Sequence, residues 1–75
     1  MQSNNKLQYK KLGLNIAYYR KAKGLSQSIL AEKINISRTH MSRIETADCA
    51  VSLDVIFDLC RVLEISEKEL FDFRF

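Results

Sequence analysis

The sequence predicts an all-α fold, a compact five-helix bundle, and three observations carry that reading. Serine stands at the head of four apolar-periodic segments, at Ser26, Ser37, Ser52 and Ser66, where a hydroxyl caps the free amides of a helix. Proline is absent and glycine occurs twice, while nearly half the residues are apolar, which suits a packed bundle rather than a disordered chain. No strand-like alternation appears before Phe71-Asp-Phe-Arg-Phe75, which reads as a short strand or an aromatic tail.

The elements follow in order. Residues 1–7 read as a flexible segment, and the single domain occupies residues 8–75. A first helix is expected from about Gln8 to Lys23, with Leu12, Ile16, Tyr19 and the stem of Lys23 facing inward. Gly24 ends it, because glycine enters the left-handed region at least cost. Ser26 opens a helix from Gln27 to Ile34 that buries Leu30, Ala31 and Ile34. Asn35 supports a sharp turn, since asparagine tolerates positive φ. Ser37 then opens a third helix, Arg38 to about Thr46, with Met41 and Ile44 inside. In the fourth, opened by Ser52, Leu53, Ile56, Leu59, Cys60 and Leu63 form the core stripe. Ser66 opens a short fifth helix, whose first turn holds Glu67 and Glu69, suited to the helix dipole.

Seventy-five residues allow one small domain. No apolar run reaches the roughly 20 residues that span a bilayer, and Met1-Gln-Ser-Asn-Asn-Lys6 lacks the core of a secretory signal, so a cytoplasmic protein is expected. Cys49 and Cys60 are too few for a disulfide framework or a four-cysteine metal site. Cys60 reads as a small buried hydrophobe and Cys49 as an exposed loop residue. The sequence offers no nucleophile–base pair, metal cluster or phosphate loop, so neither catalysis nor a cofactor is expected, and no small-molecule ligand is evident.

Charge is divided along the chain. Residues 1–43 hold nine basic side chains against Glu32, a net of +8, whereas residues 44–75 hold three against eight acidic ones, a net of −5. Such a dipole turns one end towards a polyanion. Within the basic half, Arg38, Thr39, Ser42 and Arg43 share a broad stripe opposite Met41 and Ile44. A helix of that kind fits the DNA major groove, where arginine pairs with guanine and hydroxyls meet several base edges. A phosphate at the start of the second helix would meet its free amides and the Gln27 carboxamide together, the alternative being a solvent-exposed first-turn glutamine. Ser26, Ser37 and His40, which lies beside the reading face, are the other candidate phosphate contacts.

The motifs Arg20-Lys-Ala-Lys-Gly-Leu-Ser-Gln27, Leu30-Ala-Glu-Lys-Ile34, Ser37-Arg-Thr-His-Met-Ser-Arg-Ile-Glu45, Ser52-Leu53 and Glu69-Leu70-Phe71 resemble the phage Cro/C1-repressor (XRE-like) helix-turn-helix family over about Leu12 to Phe71. The resemblance implies a lambda repressor-like DNA-binding domain that pairs as a homodimer on a pseudo-palindromic operator. It implies base reading by Arg38, Thr39, Ser42 and Arg43, phosphate contact by Gln27, and an ion pair between Arg20 and Glu45. The Ser37-Arg-Thr-His-Met-Ser42 run looks most like the controller proteins of restriction–modification systems. Two positions depart from the pattern: Thr46-Ala47-Asp48 replaces a usual glycine and basic residue, and Asn35 replaces the commonest glycine.

Two function classes follow. One is a transcriptional regulator, its dimer interface expected at Val55, Val62, Phe71, Phe73 and Phe75, the apolar residues left over by the core stripe. The other is a protein-interaction module such as an antitoxin that neutralises a partner protein, which Asp48 and the acidic C-terminal half favour. The intact reading helix favours the first.

Overall fold

Four serine hydroxyls set where helices begin. In the computed structural model, which describes residues 4–73, the helices are α1 (Lys6–Ala22), α2 (Gln27–Lys33), α3 (Arg38–Glu45), α4 (Leu53–Leu63) and α5 (Glu67–Leu70). The hydroxyls of Ser26, Ser37, Ser52 and Ser66 accept from the amides of Ile29, His40, Val55 and Glu69, each three residues on. At α5 the Glu69 carboxylate also accepts from the Ser66 amide, completing a reciprocal capping box. α1 has no side-chain cap and starts at Lys6, two residues before the apolar spacing becomes informative.

The helix ends are equally uniform. Gly24, Asn35, Ala47 and Glu64 all take left-handed backbone, with φ of 72°, 60°, 62° and 57°. After each, the next amide donates to a carbonyl five residues back: Leu25 to Arg20, Ile36 to Ala31, Asp48 to Arg43 and Ile65 to Cys60, at 2.8–3.1 Å. This turn satisfies carbonyls that a helix end leaves open. Leu25, Ile36 and Ile65 then tuck against the core, and serine follows each of them directly. Three joints of the fold are thus one device: left-handed residue, apolar plug, capping serine.

The core gathers Ile16 from α1, Leu30 from α2, Met41 and Ile44 from α3, Leu59 and Leu63 from α4, and Leu70 from α5, all essentially without solvent exposure. Cys60 joins them, and Cys49 packs half-buried against the same cluster rather than standing exposed in its loop. Burial pushes the Cys60 thiol pKa up, and the carboxylates of Glu67 and Glu69 push it further. Leu53 departs from expectation, being 67% exposed. It is the first residue of α4 and projects past the end of the core onto the rim of a groove of about 390 Å³. Val51, Phe71 and Phe73 line the same groove. The Lys23 side chain is 34% exposed, and its ammonium pairs with the Glu64 carboxylate at the surface. That ammonium holds the Glu64 carboxyl below its ordinary range.

Two small polar details fix α1 against its neighbours. Gly13 faces the end of α3 so closely that a Cβ there would lie 2.8 Å from the Glu45 carbonyl carbon and 2.9 Å from the Ile44 oxygen. Asn15, buried, donates from Nδ2 to the carbonyls of Leu70 at 2.8 Å and Asp72 at 3.3 Å, which holds the residues after α5 onto α1. No buried side-chain polar atom among the described residues lacks a partner. The described part of Phe71–Phe73 forms no strand, and Phe75 lies outside the described residues.

Candidate nucleic-acid interface

The outward face of α3 begins at Ser37. With its amides capped there, α3 advances about 100° per residue, so Met41 and Ile44 turn inward and Thr39, Ser42, Arg43 and Thr46 turn outward. Arg38 stands at one edge of this outward sector and His40 at the other. Arg38, Thr39, His40 and Arg43 are exposed, and Ser42 is half-buried. Neither Arg38 nor Arg43 has a carboxylate partner among the described residues, so both guanidiniums keep their full set of donors for an incoming acceptor.

Behind this face lies an ion-pair network. Arg20 Nε donates to Glu45 Oε2 at 2.8 Å and Arg20 Nη2 to Glu45 Oε1 at 3.1 Å, a bidentate pair whose side chains are 10% and 6% exposed. Arg20 Nη1 donates to the Leu25 carbonyl at 2.9 Å, and Gln27 Nε2 donates to Glu45 Oε1 at 3.0 Å. One carboxylate therefore binds α1, the start of α2 and the end of α3 together. Gln27 spends one amide hydrogen on Glu45 and retains the other, beside the exposed start of α2.

The cap serines keep a donor as well. Ser26 and Ser37 use hydroxyl lone pairs to accept from backbone amides, leaving the hydroxyl hydrogens available. Beyond α3, Thr46 lies on the outward sector, although the sequence pattern marked it only as a helix end. Its Oγ1 bonds the Ser42 carbonyl at 2.9 Å and Asp48 Oδ2 at 3.1 Å. The exposed Asp48 carboxylate thus sits at the edge of the basic face, where it opposes an approaching phosphate.

The surface expected to pair two copies is arranged differently from its sequence reading. Val55 and Val62 are half-buried against the core of their own chain. Leu53 and Phe57 are the exposed apolar residues of α4, at 67% and 52%, and Phe71 lies 45% exposed. Phe73 is half-buried, its ring centroid 6.1 Å from that of Phe71. Counting leftover apolar residues does not reveal which edge of the α4 stripe the core covers.

Comparison with known proteins agrees with this geometry. A family model described as helix-turn-helix matches residues 16–70. The restriction–modification controller protein C.AhdI from Aeromonas hydrophila superposes with a TM-score of 0.83 at 35% identity, covering 87% of this chain and 98% of that one. The clp gene regulator ClgR from C. glutamicum gives 0.79 at 25% identity, over 84% of this chain and 82% of its own. A hypothetical transcription factor, NHTF from Neisseria, shares the fold with a TM-score of 0.80 at 24% identity, over 95% and 83%. Among curated proteins no significant match is found. With a capped, outward-facing α3 set behind α2, and a matching model over residues 16–70, the chain belongs to the Cro/C1-type (XRE-like) family of DNA-binding helix-turn-helix regulators.

Proposed function

We propose that the protein regulates transcription as a homodimer on a palindromic operator, laying α3 in the major groove. The observation that carries this is the unpaired, exposed Arg38 and Arg43 on a helix whose back is locked by Arg20, Gln27 and Glu45. In this reading Arg38, Thr39, Ser42 and Arg43 meet base edges, while Gln27, Ser26, Ser37 and His40 meet phosphates through their free donors. The described residues extend 30 × 25 × 19 Å, so a single copy offers one reading helix to one groove. A two-fold pair sets two such helices about 34 Å apart, one turn of DNA. Leu53, Phe57 and Phe71, with Phe73 behind them, supply the apolar surface for that pairing. Likeness to a restriction–modification controller protein supports a role as a controller of that kind.

Footprinting on the DNA upstream of the protein's own gene tests the reading. A protected pair of inverted half-sites one helical turn apart is expected, together with a dimer in sedimentation. Uniform weak protection without a discrete site, from a monomer, would overturn it.

A further inference from the structure

α1 is apolar on two faces, and among the described residues only one of them is used. Leu12 and Ile16 enter the core, yet Leu7, Leu14 and Tyr18 stand 60%, 55% and 66% exposed. Helical geometry brings these three within a narrow stripe, on the side of α1 turned away from Gly13 and Arg20, which contact α3. Together with Lys11 they follow a four-three-four spacing, Leu7, Lys11, Leu14 and Tyr18, the seam by which one helix packs along another. Lys10 and Lys21 flank the stripe, both exposed, and none of these three lysines has a carboxylate partner among the described residues. The Tyr18 ring is held edge-on to Tyr19, with centroids 5.1 Å apart and planes at 81°, which favours a fixed outward pose.

We infer that this seam is a docking surface for an acidic amphipathic helix of a partner protein, one that carries leucine-like residues at heptad spacing and carboxylates opposite Lys10, Lys11 and Lys21. Charge complementarity selects that partner. A nucleic acid would satisfy the lysines but leave two leucines against phosphate. A membrane requires a broader apolar face than a single-file seam provides. Because the seam faces away from α3, the partner binds while the protein is on DNA. It thereby offers a route from the DNA-bound regulator to another protein, beyond the recognition of DNA itself.

The test uses the full-length, isotope-labelled chain and a synthetic eighteen-residue helix with leucines at heptad spacing and glutamates alongside, followed by NMR. Saturable shifts confined to residues 7–21 are expected, and they persist with a DNA duplex bound. A lysine-for-glutamate version of the probe is expected not to bind. Leu14→Ser and Tyr18→Ser, both exposed positions and so compatible with folding, are each expected to weaken the probe by about tenfold or more with DNA affinity unchanged. Absence of shifts, equal binding of the lysine probe, or shifts spread over α3 would each overturn the inference. Tighter binding to phosphatidylglycerol vesicles than to the probe would reassign the seam to membranes. Loss of self-association in the Leu14→Ser protein would reassign it to a second copy. DNA affinity, read in parallel, separates failure of this surface from failure of the proposed DNA reading.

Discussion

Gly13 in α1 and Glu45 at the end of α3 meet backbone to backbone, with no room between them for a side chain. The helix proposed to read DNA is therefore seated on a glycine, and two residues outside its reading face decide its depth in the fold.

Gly13→Ala is expected to destabilise the domain despite a helix-propensity gain of about 1 kcal/mol. The added methyl must displace backbone rather than a flexible side chain, and overpacking of that kind costs about 1–3 kcal/mol or more. Urea denaturation checks the sign. A Gly13→Ala protein more stable than the parent would mean that α1 and α3 part easily, so that the contact sets nothing.

Removing either member of the Arg20–Glu45 pair leaves the other charge almost without solvent. A loss of about 3–5 kcal/mol is expected for Arg20→Ala or Glu45→Ala. A double-mutant cycle should return a coupling of at least about 0.5 kcal/mol. Coupling near zero would show that the two side chains act separately. Glu45→Ala should additionally loosen Gln27, seen as faster motion of its side-chain amide.

Arg38→Ala and Arg43→Ala are expected to fold normally, because both side chains are exposed and unpaired. Each should lose about 1–3 kcal/mol of discrimination between the correct base pair and a wrong one. Gln27→Ala should instead weaken every DNA sequence alike, with the salt slope unchanged because its carboxamide carries no charge. Competition binding with operator and random duplexes distinguishes the two patterns. Equal loss on both duplexes for the arginine variants would move them from bases to phosphates.

Ala47 sits in left-handed backbone with its methyl wholly buried. Ala47→Gly relieves about 1–2 kcal/mol of steric cost but loses about 0.8 kcal/mol of methyl burial. It also adds about 0.5–1 kcal/mol of chain entropy. The terms nearly cancel, so stability should change by less than about 1 kcal/mol. Ala47→Val has no such compensation and should unfold readily in thermal melts. An Ala47→Val protein as stable as the parent would refute the backbone assignment.

The two thiols should differ in reactivity. Cys60 is buried with its pKa raised, so its protonated form is favoured by folding. That contribution is complete below the unfolded thiol value and is lost as pH rises through the higher folded one, which puts the effect on the alkaline side of about 9. Cys49 should be alkylated first at neutral pH, and Cys60 should follow only under alkaline or unfolding conditions. Mass spectrometry of iodoacetamide-treated protein decides it, and equal rates at neutral pH would contradict the buried thiol.

The helices, and the starts of α2 to α5, were legible because serine caps and apolar spacing are local signals, which short stretches of chain carry alone. The three tight joints were half legible: Gly24 and Asn35 advertise left-handed backbone, but Glu64 does not. Its conformation is imposed by Ile65 plugging the core and Ser66 capping α5. Gly13 and Asn15 were silent. Their roles depend on carbonyls of residues 45, 70 and 72, distant in sequence, and no periodicity reports a backbone approach. The arginines of α3 stood out by composition, whereas Thr46 came to the outward face only through the helix phase.

That phase has a single origin. The hydroxyl of Ser37 accepts from the His40 amide and marks where α3 starts counting. Were the helix to start one residue earlier or later, every outward side chain would swing by about 100°, and either Met41 would turn outward in place of Arg43 or Ile44 in place of Ser42. The cap thus works as an index mark, converting a linear order of residues into an angular address. The proposed message is written in Arg38, Thr39, Ser42 and Arg43, but the frame that orients them is encoded by one serine that precedes them.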